Sequence, residues 1–590
     1  MPITLSMSTN LIIRKIGLHG NLFIALAMCC CGCTPLPEYI QNGFKVGPNY
    51  RKPDAAVASN WIDASDKRVR TDSDDLSKWW TVFNDPVLND LVCYAYNQNL
   101  TLREAGYRVL QARAQLGIAI GEIFPQAQAM TGDFLREASS GETGSRQKFS
   151  SRWDYGFTLA WELDFWGKFR RGVESNRANL QASVADYDDV LVTLLSDVAT
   201  AYVQYRTSEE RIKYATKNIN IQIKVLEITR ASFDAGKSTK IDVDQAESTL
   251  YATQAGIPEL EITLRTANNQ LCILLGIPPE QLHAKLGTAP IPIAPADVAV
   301  GIPADLLRRR PDVRRAERLA AAQCAQIGVA VSDFYPHISI LGTIDYQANR
   351  FKDLFNSKAL SGSVGPSFRC DILQYGRLLN NVRLQDAHFL EIVEAYKQSV
   401  LTANQETENG LVTFLKAQER YKLQKKSVDA GKDALDTVQK LYPDKENFTR
   451  VAQLLQNQVV LEDTLAQVQG EIAMGLIMVY KGLGGGWEIR CTGCTVTPPG
   501  DPLLPVPRKL DGDEARRPPL RNGGTVPPPV DTLLPVSRKP EGDEAQRPPR
   551  CTGCTMPPPV DTLLPVSRKP DGDEAQRLPL RCKLMTPAAE

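Results

Sequence analysis

Catalysis and metal binding need side chains that meet, and this chain spreads its candidates thinly. The body holds three histidines, His283, His337 and His388, none with a second ligand pattern beside it. They read as structural residues, and the census implies no enzyme, no cofactor and no metal centre. Two CxxC pairs, Cys491/Cys494 and Cys551/Cys554, have spacing that suits zinc. They sit 60 residues apart in a repetitive tail whose middle copy lacks them, so they read as residues inherited with the repeat. The basic run Arg308-Arg309-Arg310 leads into Pro311-Asp312. That order reads as a helix start, because proline suits the first turn and an aspartate there complements the helix dipole. A formal net charge of +0 adds no pull toward nucleic acid.

What remains is electrostatic. Asp234, Asp242 and Asp244 fall around one turn between long helical stretches, and Asp444 and Glu446 fall in another. Singly they are solvated turn carboxylates. Repeated around a symmetry axis, each would become a ring that attracts cations and resists narrowing.

Those turns need long elements to carry them. In WELDFWGKFRRG, residues 161–172, strand-like alternation stops, and 63 residues then pass after Gly172 without Gly or Pro. Trp153, Tyr155, Phe157, Leu159, Trp161, Leu163 and Phe165 alternate with small or acidic residues. Period two over such a length suits a tilted strand with one face in lipid. Gly167 is the seam where this strand gives way to a helix of roughly 100 Å at 1.5 Å per residue. RCDILQYGRLLNN, residues 369–381, repeats the switch at Gly376. The echo is systematic: Gly167 pairs with Gly376, Tyr187 with Tyr396, and Glu210-Arg211 with Glu419-Arg420, at a constant offset of 209. The weaker aromatic face before the second seam has no explanation in the sequence.

The chain therefore divides into unequal parts. Residues 1–33 read as a lipoprotein signal peptide, with a basic start, an apolar run and Cys33 as the acylated residue; Cys29, Cys30 and Cys31 are alternatives. Residues 34–85 form an extended, equatorial segment. The first structural repeat spans 86–290, with strands near 125–135 and 153–166 and a helical hairpin over 167–277. The second spans 291–487, with a helix over 304–332, strands near 336–346 and 361–373 and a hairpin over 376–481. Residues 488–590 carry a 30-residue proline-rich repeat and read as disordered. The body cysteines, Cys93, Cys272, Cys324 and Cys370, are scattered singly, so the body is expected to depend on packing rather than on disulfides.

Four strands cannot close a barrel, and an open edge cannot sit in lipid. The expected fold is an α+β membrane protein. It is a trimeric 12-stranded β-barrel, four strands per protomer, continuous with a long α-helical barrel and internally duplicated.

KVGPNYRKP (45–53), KWW with FNDPVLNDL (78–91), LLRRRPDVRRAER (306–318), ELDFWGKFRRG (162–172) and GLGGGW (482–487) resemble the TolC-type outer-membrane efflux proteins, in particular the NodT/OprM-like lipoprotein branch. The likeness covers nearly all of 46–487. It implies a homotrimer in outer-membrane lipid with a large periplasmic part. It also implies a periplasmic membrane-fusion adaptor and an inner-membrane pump of RND rather than ABC type, with drugs, metals or other small toxic molecules as cargo. By the same likeness, the hairpin ends 233–243 and 442–451 close the entrance and dock the adaptor, which brings Val451 and Gln453 into the set. The chain departs from the pattern at Pro443-Asp444, where relatives often carry glycine, and at Gln453, where an acidic residue is frequent. An exit duct for type I protein secretion and a non-pore structural envelope lipoprotein are the alternative readings.

Overall fold

The computed structural model describes residues 36–72, 75–138, 149–441 and 448–492. The signal-like segment with Cys29, Cys30, Cys31 and Cys33, the turn residues Asp444 and Glu446, and the tail from 493 onward lie outside the described residues.

Seven helices and four strands carry the architecture: α1 (Pro86–Gln98), α2 (Leu100–Gly121), β1 (Ala127–Ala138), β2 (Phe149–Glu162), α3 (Lys168–Asp234), α4 (Lys240–Leu274), α5 (Pro311–Ser332), β3 (His337–Ala348), β4 (Leu360–Arg369), α6 (Arg377–Leu441) and α7 (Phe448–Gly482). The strands form one antiparallel sheet in the order β1-β2-β3-β4. The long helices form two hairpins, α3 with α4 and α6 with α7, and α5 packs against both α3 and α6. This is the expected fold class, long helices joined to a short antiparallel sheet.

Local chemistry sets the boundaries. Asp85 caps α1 by accepting hydrogen bonds from the amides of Val87 (2.9 Å) and Leu88 (3.2 Å), with Pro86 at the first helical position. Asn99 ends α1 and begins α2, where its side chain accepts from the Leu102 amide at 2.9 Å. Pro311 opens α5, as its fixed φ favours. The alternation in the sequence runs on to Phe165, but β2 stops at Glu162. Leu163 and Phe165 lie past its end because Asp164 turns to accept from the amides of Phe169 and Arg170, each at 3.0 Å, and so starts α3.

Two apolar clusters hold the hairpins. The larger surrounds Trp79, Trp80, Tyr202, Leu271, Phe414 and Leu476 at the level of α1 and α5. The second lies near the hairpin ends and contains Val225, Leu250, Leu435, Phe448, Val451 and Leu455. Close backbone approach tightens the first: a Cβ on Gly410 of α6 would lie 2.8 Å from the Val479 amide nitrogen of α7. Cys93 is disulfide-bonded, which corrects the expectation of packing alone, while Cys272 is a buried free thiol.

The quoted motifs prove to be braces. Lys45-Val46-Gly47 crosses the start of α3, where Arg171 donates to the carbonyls of Val46 (3.1 Å) and Gly47 (2.9 Å). Arg310 donates to the Gly482 carbonyl at 2.8 Å and pairs with Asp312 and Glu406, each at 2.7 Å. Asp312 therefore serves an ion pair as well as a helix start. Trp487 lies between two guanidinium groups, those of Arg314 (4.7 Å from the ring centroid) and Arg490 (5.5 Å), within cation–π range. Both arginines pair at 2.7 Å with Asp188, which has no exposed surface. Burial pushes the Asp188 carboxyl up to about 6 against the pull of the two arginines.

Candidate functional site

The sheet has two chemically distinct faces, and its register shows how they arise. Trp153 sits opposite Phe134 and Ala348, Tyr155 opposite Tyr346, Phe157 opposite Met130 and Ile344, and Trp161 opposite Ile340. Beyond them, Val364 and Phe368 of β4 continue the same face opposite Gly342 and Ile338. The other face carries Asp154, Thr158, Ser339, Thr343, Asp345, Ser363 and Ser367. Because side chains alternate strictly along a strand, a single register aligns all four apolar rows on one side. The strands β1 and β4 each have one neighbour in the sheet, so their outer edges are open.

At the helix-proximal end the sheet is tied to the helices below it. The Trp161 indole donates to the Ile123 carbonyl at 3.0 Å, and His337 lies 2.6 Å from Glu162. Gly167 and Gly376, the two expected seams, both take positive φ, +80° and +81°. Their surroundings differ. Gly167 is packed against Lys45, whereas a Cβ on Gly376 would meet only the Asn380 side chain, at 3.6 Å.

The first hairpin end separates the three carboxylates that the sequence groups together. Asp242 closes a capping box on α4, its side chain accepting from both the amide and the hydroxyl of Thr239 at 2.8 Å. Asp244 is paired with Lys240 at 2.7 Å. Asp234 ends α3 and is exposed. On α7, Gln453 is exposed, but Val451 is 1 % exposed inside the end cluster, so in the protomer it holds the hairpin together rather than facing outward.

Between the two apolar clusters lies a polar layer that sequence reasoning missed. Asn218 and Gln222 of α3 and Gln458 and Glu462 of α7 are all buried at this level, and Asn218 faces Glu462. Glu462 accepts from the Asn218 amide at 2.9 Å and lies 3.4 Å and 3.6 Å from Lys217 and Lys432. Gln222 donates to Thr253 at 3.0 Å, and neither polar atom of Gln458 has a partner among the described residues. The signal was present as polar residues four apart on two otherwise apolar stripes, 218/222 and 458/462. An unpaired buried amide costs roughly 1–3 kcal/mol, so this layer detracts from the packing of the hairpins.

Similar proteins share this plan. A family profile described as Outer membrane efflux protein matches residues 92–277 and 302–484, and each stretch contains one strand pair and one hairpin. Nodulation protein T of Rhizobium leguminosarum bv. trifolii is 30% identical over 466 residues, covering 77% of this chain and 97% of that protein. The pyoverdine export outer membrane protein OpmQ of Pseudomonas putida is 29% identical over 475 residues, covering 79% and 96%. Among solved structures, the outer-membrane channel OprN matches with a TM-score of 0.70 at 32% identity, covering 75% of this chain and 99% of that one.

Proposed function

We propose, from the premise that this chain belongs to the outer membrane efflux protein family, that three copies close into one conduit across the outer membrane and the periplasm. Membership makes the chain an outer-membrane efflux channel and not an enzyme. The threefold reading is carried by one observation, a two-faced sheet of four strands with both edges open. Hydrocarbon does not tolerate unpaired backbone, so the β1 edge of one copy pairs with the β4 edge of the next. Three copies supply three times four strands, an even number within the usual range. The apolar face meets lipid, the polar face lines the lumen, and the hairpins continue the tube. Cys33, or one of Cys29, Cys30 and Cys31, carries the lipid anchor.

The free hairpin ends form the entrance and the docking surface for a periplasmic adaptor and an RND-type inner-membrane pump. Relatives named for pyoverdine export and toluene efflux support a small-molecule cargo. Within the entrance, Asp234 supplies the charged ring, with Asp444 and Glu446 from the other hairpin. Asp242 acts as a helix cap, Asp244 is partly offset by Lys240, and Gln453 adds a neutral polar contact.

Detergent-extracted protein tests this reading. It should have the mass of a trimer and conduct ions in planar bilayers with cation preference. Asp234→Asn should reduce that preference, while Asp242→Asn should leave selectivity nearly unchanged. A monomeric rod that does not conduct would overturn the conduit.

A further inference from the structure

The loop 349–359 joins β3 to β4 at the end of the sheet farthest from the helices. It folds back onto the apolar face. Phe351 packs against Trp153 (ring centroids 5.0 Å apart), and Phe355 packs against Tyr155 (5.9 Å) and Tyr346 (6.1 Å). Leu354 is buried beneath the loop, yet Phe351 and Phe355 stay 58 % and 65 % exposed. Two short 3-10 turns, Phe351–Asp353 and Ser357–Ala359, fix the backbone, the second with Asn356 accepting from the Lys358 amide at 3.3 Å. The same eleven residues carry Arg350, Lys352 and Lys358 against one acidic residue, Asp353. Arg136, on the apolar face of β1, lies 5.6 Å over the Phe149 ring at this end of the sheet. Among the described residues no ion pair engages any of these four cations.

A loop destined for open water has no reason to lie on the lipid side of a sheet. Aromatic rings at the border of an apolar band suit the headgroup level of a bilayer, and unpaired cations there suit phosphate. We propose that loop 349–359, with Arg136, is a lipid-recognition site for the phosphorylated glycolipid of the outer leaflet. Phe351 and Phe355 enter the acyl boundary, and Arg350, Lys352, Lys358 and Arg136 contact the headgroup phosphates. This rests on the barrel reading above, because it needs the apolar face to meet lipid. It adds a specific contact that barrel closure does not require.

The test uses the delipidated full-length channel in detergent and native mass spectrometry. The probes are diphosphoryl lipid A, monophosphoryl lipid A and inorganic phosphate as competitor. Wild type should favour the diphosphoryl form, and excess inorganic phosphate should not remove it. R350S/K352S/K358S should bind that form about tenfold more weakly, since each basic residue near a lipid phosphate contributes substantially to binding. Trimer mass and conductance should be unchanged. F351S/F355S should weaken both lipids alike. The proposal is overturned if the triple variant keeps the diphosphoryl preference, or if free phosphate displaces the lipid. A conducting wild-type trimer with no phosphate preference sinks this site alone, whereas a wild type that neither trimerises nor conducts sinks the barrel reading.

Discussion

The two strand-to-helix seams share a backbone and differ in almost everything around it. At both, a glycine near φ +80° precedes a helix of more than sixty residues. Around Gly167 the chain supplies its own cover. Trp166 stacks on Tyr335 at 4.6 Å and donates to the Pro336 carbonyl at 2.8 Å, Tyr39 donates to the Phe165 carbonyl at 2.7 Å, and Asp164 caps the helix. Around Gly376 the described contacts are local, chiefly Arg377 donating to Gln374 at 2.9 and 2.7 Å. Tyr375 is 95 % exposed and Ile372 82 %. Apolar side chains are rarely left bare in such a cluster without a partner. One seam is thus completed within the chain, and the other leaves apolar side chains bare in the protomer; in the three-copy reading proposed above, a neighbouring copy covers them.

The comparison breaks most readily at the aromatic residues. Trp166→Ala should cost the protomer about 3 kcal/mol in lost packing. Tyr375→Ala should cost it less than about 0.5 kcal/mol, as surface changes do. The tyrosine change should instead speed trimer dissociation. Thermal melts of the monomer, together with size-exclusion chromatography on dilution, separate the two. Equal monomer losses would remove the distinction.

The glycines give a smaller contrast. Gly376→Ala adds only the strain of positive φ, about 1–2 kcal/mol. Gly167→Ala adds a collision as well, because its Cβ would lie 2.8 Å from the Lys45 Cα. It should therefore lose about 1–3 kcal/mol more, a typical overpacking penalty. Comparable shifts in the thermal midpoint for both variants would contradict the difference in cover.

A subtler asymmetry lies 21 residues further along each helix. Asp188 is fully buried between Arg314 and Arg490, whereas its counterpart in the second copy, Lys397, is only half-buried and pairs with Glu394 at 2.7 Å. The Asp188 carboxyl is raised to about 6 from 3.8, so its protonated form is favoured in the folded state. Its contribution to stability should grow as pH falls through about 6 toward 4 and diminish as pH rises above 6. Between pH 7.5 and 5 the gain is about 1 kcal/mol at 1.36 kcal/mol per unit. Differential scanning calorimetry should show this increment in wild type and not in Asp188→Asn; a variant with the same pH profile would locate the effect elsewhere.

Much of this architecture is legible without a structure. Trp153 to Trp161 declare a two-faced strand, and the gap-free echo of Gly167 at Gly376 declares a duplicated helix, because periods of 2 and 3.6 are local properties of a chain. The candidate entrance is only half legible. Asp234, Asp242 and Asp244 look equivalent in sequence, and Val451 looks as available as Gln453. The first set is sorted by a capping box and an ion pair, the second by which face of α7 turns into the end cluster.

By itself, then, the sequence determined the element types, the duplication, the two faces of the sheet and the places where strand becomes helix. Neighbouring residues and backbone geometry suffice for each of these. Only the tertiary structure decided where a polar layer divides the hairpins, which cations at the sheet's far end lack an ion-pair partner among the described residues, and that two like seams are covered so differently. Those outcomes depend on contacts between residues one or two hundred positions apart, which no local period encodes.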